Sequence, residues 1–212
     1  MKCFLFDFDG TLVDSMPTYA ATMLQILDEY KIPYGDDLVK IITPLGTIKT
    51  AEYFVELGVP LSKEQLLIRM GEGMIDAYTH HIPAKEYVIS ALETMKANGC
   101  DLNVLTASPH LTVDPCLKRL GIYHLFNHVW SCDDFDTTKA DPGIYTRAAE
   151  ILGYPVEEVM FLDDNPHATA TAKIAGMKVC GVFDPTSEEY REEMIRDCDY
   201  YLDDFSTLPT LA

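Results

Sequence analysis

Short apolar runs that end in polar residues alternate with stretches of helical periodicity along most of this chain. The first run, Phe4-Leu5-Phe6, feeds Asp7-Phe8-Asp9-Gly10-Thr11. It is too short for a helix and is closed by a turn signal, so it reads as a buried strand. The texture then changes. Tyr19, Met23, Leu27 and Tyr30 recur at helical spacing, a second helix is expected over residues 47–57 before Gly58, and Ser62 with Gln65 forms a capping-box start for a third. That third helix carries Leu66, Met70, Met74 and Ala77. Beyond His81 the pattern alternates. A helix over 85–98 precedes a strand over 101–106, and further strands are expected over 128–131, 159–162 and 177–182, with the intervening helices closed near Gly121, Gly153 and Gly176. Repeated strand–helix units of this kind predict an α/β fold, a doubly wound parallel sheet of about five strands. The helical stretch interrupts that fold after its first strand, which divides the chain into a core of residues 1–14 and 82–212 and an inserted helical domain of residues 15–81.

In open parallel sheets, ligands bind outside the carboxyl ends of the strands. Every strand end in the first four carries chemistry here. The first releases Asp7 and Asp9, the second Thr106, Ala107 and Ser108, the third a loop with Asp133, Asp134, Asp136 and Lys139, and the fourth Asp163, Asp164 and Asn165. Period-two geometry places Asp7 and Asp9 on one side of an extended backbone. Two carboxylates at the end of a buried strand are costly unless a cation or a reaction requires them. Thr106 also suits a helix cap, Lys139 a solvated loop, and Asp163 with Asp164 a helix start; the acidic loop over 133–136 suits solvent better than a ligand.

Charge narrows the partners. The formal net charge of the 212-residue chain is −18, which disfavours nucleic acid and anionic membrane surfaces. Met1-Lys2 runs straight into the first apolar stretch, no apolar run approaches transmembrane length, and the six cysteines include no Cys-x-x-Cys pair. These features lead to the expectation of a cytoplasmic protein with reduced thiols and no obligate protein partner.

The four strand-end motifs, in this order and spacing, resemble those of the haloacid dehalogenase superfamily over essentially the whole chain. The closest matches are Asp7-Phe8-Asp9-Gly10-Thr11-Leu12-Val13-Asp14-Ser15 and Phe161-Leu162-Asp163-Asp164-Asn165. The helical insertion resembles the cap of the phosphoglycolate phosphatase and beta-phosphoglucomutase branch. The resemblance implies that Asp7 is a nucleophile forming an aspartyl-phosphate and that Asp9 protonates the leaving alcohol and then activates water. It also implies Mg²⁺ held by Asp7, the Asp9 backbone carbonyl and Asp164, with Asp163 binding directly or through water. Thr106 and Lys139 would grip phosphoryl oxygens together with the Ala107–Ser108 segment, although Ala140 stands where the family's motif has proline. Lys49 and Tyr19 would face substrate from the cap, and His167 would reach the metal's outer shell. The expected activity is magnesium-dependent hydrolysis of a small phosphorylated metabolite. Asp9 argues against a dehalogenase, whose leaving halide needs no proton. A sugar-phosphate mutase is the alternative, although such mutases carry a histidine where this chain has Tyr19; a catalytically inactive binding protein is the third reading.

Overall fold

The computed structural model describes residues 2–42 and 45–212. The chain divides into two compact units, one of residues 1–14 and 83–212 and one of residues 15–82, so that Ile82 falls with the helical insertion.

The larger unit is built on six strands: β1 (Cys3–Phe6), β2 (Asp101–Thr106), β3 (His128–Ser131), β4 (Val159–Asp163), β5 (Lys178–Val182) and β6 (Tyr200–Leu202). All are parallel, in the order β3-β2-β1-β4-β5-β6. Chain order reverses between β1 and β4, the switch point at which a doubly wound sheet opens its binding crevice. Both central strands are buried along their whole length, as expected where helices cover both faces of a parallel sheet. Those helices, numbered after α1 (Met16–Glu29), α2 (Leu38–Ile42), α3 (Gly46–Glu56) and α4 (Lys63–His80) of the insertion, are α5 (Val88–Ala97), α6 (His110–Arg119), α7 (Pro142–Leu152), α8 (Pro166–Ile174) and α9 (Arg191–Asp197). One core layer joins Leu5, Phe161 and Val179 of the sheet to Ile144, Tyr145 and Ala148 of α7 and to Ala168 and Ala172 of α8.

Three differences from the expected pattern have local causes. Helix α5 begins at Val88 rather than at residue 85 because Tyr87 takes φ +64°, a left-handed conformation that cannot propagate a helix. The sixth strand is only three residues long; it completes the edge beside β5 through Cys180↔Tyr200 to Val182↔Leu202. Helix α9 and a five-residue helix over Leu38–Ile42 are too short to print a clear period.

The smaller unit contains that short helix together with three longer ones at Met16–Glu29, Gly46–Glu56 and Lys63–His80. The last starts on a complete capping box: the Gln65 amide donates to Ser62 Oγ, and the Ser62 amide donates to Gln65 Oε1. Their apolar stripes, Met23, Ile26 and Leu27 against Ala51, Phe54, Leu66 and Met70, form a core of the unit's own. All six cysteines are free thiols and five are buried. Among the described residues no helix is long and apolar enough to cross a membrane.

Candidate active site

The Asp7 backbone extends the β1 ladder by one rung, its amide donating to the Leu162 carbonyl at 2.8 Å. Immediately after it the chain must leave the sheet. Gly10 turns it at φ +72°, and Phe8, Leu12 and Val13 fold back into the core. The Leu12 and Val13 amides both donate to the Phe8 carbonyl. A glycine is needed for a second reason: a Cβ on Gly10 would stand 2.6 Å from a carboxylate oxygen of Asp164.

Asp164 is held in that space by Thr11. The buried Thr11 hydroxyl donates to Asp164 Oδ1 at 3.3 Å and accepts from the Asp164 amide at 3.2 Å. Asp163, fully buried at the end of β4, accepts from the Asn165 amide through one oxygen and from Lys139 Nζ, 2.8 Å away, through the other. Lys139 Nζ donates also to Asp7 Oδ1. One ammonium therefore bridges the ends of β1 and β4. Its own segment is anchored by Tyr145, whose hydroxyl reaches the Lys139 carbonyl at 3.1 Å and the Ala168 carbonyl at 3.2 Å, and Asp141 caps α7 through the Gly143 amide.

Carboxylate oxygens of Asp7, Asp163 and Asp164 lie within 4.8 Å of one another. Burial, with Asp163 beside it, drives the Asp7 carboxyl well above its ordinary value, and Lys139 opposes the rise only in part. Asp164 is pushed up to about 8 by burial and by the carboxylates of Asp163 and Asp184. Burial also works against the Lys139 charge, but Asp163 and Asp7 outweigh it and hold the ammonium above its ordinary value. Three desolvated carboxylates facing one lysine are short of positive charge.

The same three aspartates line a cleft of about 440 Å³ together with Asp9, Thr106, Ala107, Thr138, Lys139, Ala140, Asn165 and His167. Asp9 is half-buried and its carboxylate stands outside the Asp7–Asp163–Asp164 triplet; it accepts from Ser108 Oγ at 2.5 Å. The Thr106 oxygen accepts from the Ser108 amide at 3.0 Å, and Thr106 lines the cleft. It does not cap α6, whose first position follows Pro109.

Other residues singled out in the sequence sit elsewhere. Lys49 is exposed on the Gly46–Glu56 helix of the smaller unit, and Tyr19 lies on that unit's first helix. Asp133 and Asp134 belong to a 3-10 turn in which Asp134 accepts from the Ser131 amide and pairs with His110 Nε2 at 2.8 Å. Thr11 stood in the first motif without a role, and Tyr145 was not singled out; Thr11 links the loops after β1 and β4, and Tyr145 links the Lys139 segment to α8.

A buried carboxylate at a switch point, a lysine bridging it to Asp163 and a carboxylate triplet make up the site. The model of the haloacid dehalogenase-like hydrolase family matches residues 4–182, and the chain belongs to that family. Its relatives include the pyrophosphatase PpaX of Bacillus velezensis, 31% identical over 84% of this chain and 81% of that protein. A phosphoglycolate phosphatase of Haemophilus influenzae is 26% identical over 97% of this chain and 96% of its own length. In fold, a candidate beta-phosphoglucomutase of Thermotoga maritima superposes with a TM-score of 0.86 at 24% identity, covering 100% of this chain and 98% of that one.

Proposed function

We propose that this hydrolase is a magnesium-dependent phosphatase that cleaves small phosphorylated metabolites through an aspartyl-phosphate on Asp7. The observation that carries this reading is the buried Asp7 carboxylate, gripped by Lys139, opening into a cleft where Asp9, Thr106, Asp163 and Asp164 converge. The phosphatases among its relatives support it.

The donor set fits a hard divalent cation. Asp7 and Asp164 would hold it with their carboxylates, the Asp9 carbonyl would complete the protein ligands, and Asp163, already accepting from Lys139 and Asn165, would act mainly through the outer sphere. Bound magnesium would offset the charge of the carboxylates and of the incoming phosphate dianion. Asp7 Oδ attacks phosphorus as the ester P–O bond breaks, and the departing oxygen takes the proton of the Asp9 carboxyl. The Asp9 carboxylate then accepts a proton from water as the water oxygen attacks the aspartyl-phosphate, releasing inorganic phosphate and restoring Asp7 as a carboxylate. Thr106 Oγ and Lys139 Nζ orient the transferring group. Ser108 Oγ, donating to Asp9, aims that carboxyl into the cleft. The helical unit is assigned the role of a cap that excludes water and selects substrate, with Lys49 as its basic contact.

The test is release of inorganic phosphate from para-nitrophenyl phosphate and from a panel of phosphorylated sugars, phosphoglycolate and nucleotides, with and without magnesium. Magnesium-dependent turnover supports the reading. Folded, magnesium-bound protein that hydrolyses none of them overturns it.

A further inference from the structure

We propose that Lys85, paired with Asp184, is a positioning residue that fixes the Gly10–Thr11 turn and through it the cation-facing placement of Asp164. The proposal rests on the phosphatase reading for its kinetic arm only.

Lys85 lies outside the motif segments, just after the strand-like bridge between Val13 and Ala84. Its amide donates to the Leu12 carbonyl, so its own backbone is pinned to the loop that follows Asp9. Its side chain is 16% exposed, and all three ammonium protons have acceptors: the Gly10 carbonyl at 2.6 Å, the Phe183 carbonyl at 2.5 Å and Asp184 Oδ2 at 3.0 Å. Asp184 is 1% exposed and equally satisfied, since its other oxygen accepts from the Thr186 amide and the Thr186 hydroxyl. A buried ammonium is retained only where such a cage replaces its water.

The consequence follows from what Lys85 holds. The Gly10 carbonyl belongs to the peptide that leads into Thr11, and Thr11 makes both hydrogen bonds that fix Asp164. Gly10 itself supplies the space the Asp164 carboxylate occupies. Phe183 and Asp184 directly follow β5, the neighbour of β4. Lys85 therefore ties the turn after β1 to the end of β5, across the loop that carries Asp164. The Lys85 ammonium on the Gly10 carbonyl restrains rotation of the Gly10–Thr11 peptide, and with it the position of Thr11.

The experiment compares wild type with Lys85→Met and with the double variant Lys85→Met/Asp184→Asn. The double variant leaves no unpaired buried carboxylate, so it lacks the charge penalty that would unfold the single variant. With para-nitrophenyl phosphate, the double variant should lose about 10-fold to 100-fold in kcat with a nearly unchanged KM, and should need more magnesium for half-maximal rate. A second readout needs no turnover: the rise in Tm on adding magnesium should fall to less than half of the wild-type rise. Wild-type kcat, magnesium requirement and magnesium-induced Tm rise in a folded double variant would overturn the proposal. If wild type hydrolyses nothing, the phosphatase reading fails alone, and the Tm comparison still decides the role of Lys85.

Discussion

Replacing Asp164 by asparagine should stabilise the metal-free protein, increasingly so as pH rises. The folded-state pKa of Asp164 lies near 8 against an ordinary 3.8, with burial as the main cause. Between those values the folded chain holds a proton that the unfolded chain has lost. Stability contributed by this group is thus present at low pH and drains away as pH rises toward 8. One proton corresponds to a slope of about 1.4 kcal/mol per pH unit. Wild-type stability also reflects the raised pKa values of Asp7 and of His110, the latter pushed up by Asp114 and Asp134, so the informative quantity is the difference between the two proteins. Asparagine keeps the oxygen that accepts from Thr11. Urea unfolding in EDTA, followed through the single tryptophan, Trp130, should show the advantage of Asp164→Asn growing by about 1.4 kcal/mol per unit from about pH 5 to about pH 7. Magnesium should reverse the order, because it binds the ionised wild-type cluster and releases protons. A pH-independent difference in EDTA, or equal stabilisation of both proteins by magnesium, would refute the reasoning.

Two further expectations concern the turn and the acid. Gly10→Ala places a Cβ in the space of the Asp164 carboxylate and forces a left-handed alanine; it should cost at least about 1 kcal/mol of stability and weaken magnesium binding in a calorimetric titration. Asp9→Asn should depress hydrolysis of alkyl phosphates far more than of para-nitrophenyl phosphate, whose leaving group needs little protonation, as parallel kcat/KM measurements will show; equal losses would contradict the acid role.

Much of this architecture was legible because apolar runs that end in aspartates report a buried strand and its functional terminus together. Phe4-Leu5-Phe6 and Met160-Phe161-Leu162 are such runs, and they became the adjacent central strands β1 and β4. Tyr200–Leu202 was not legible: three residues flanked by Asp199 and Asp203 acquire strand geometry only from pairing with β5. The start of α5 was misplaced for a related reason. Lys85 fits the helical period, yet tertiary contacts hold it outside the helix, with its ammonium on Gly10 and Asp184. Within the site, Asp7, Thr106, Lys139 and Asp164 stood out because each lies at the carboxyl end of a strand or in the loop that leaves it. The Lys85–Asp184 pair, 99 residues apart, is set by the neighbouring positions of β5 and the β1 turn, which no local pattern encodes.

The central claim is that Asp7 becomes covalently phosphorylated. Wild type should be mixed with a phosphorylated substrate and magnesium, quenched in acid within the first turnover, digested and mapped by mass spectrometry. The account predicts one added phosphoryl group on the peptide containing Asp7, sensitive to hydroxylamine and missing in a folded but inactive Asp7→Asn variant. Turnover with no phosphorylated Asp7 peptide at any quench time, or full activity in Asp7→Asn, would contradict it.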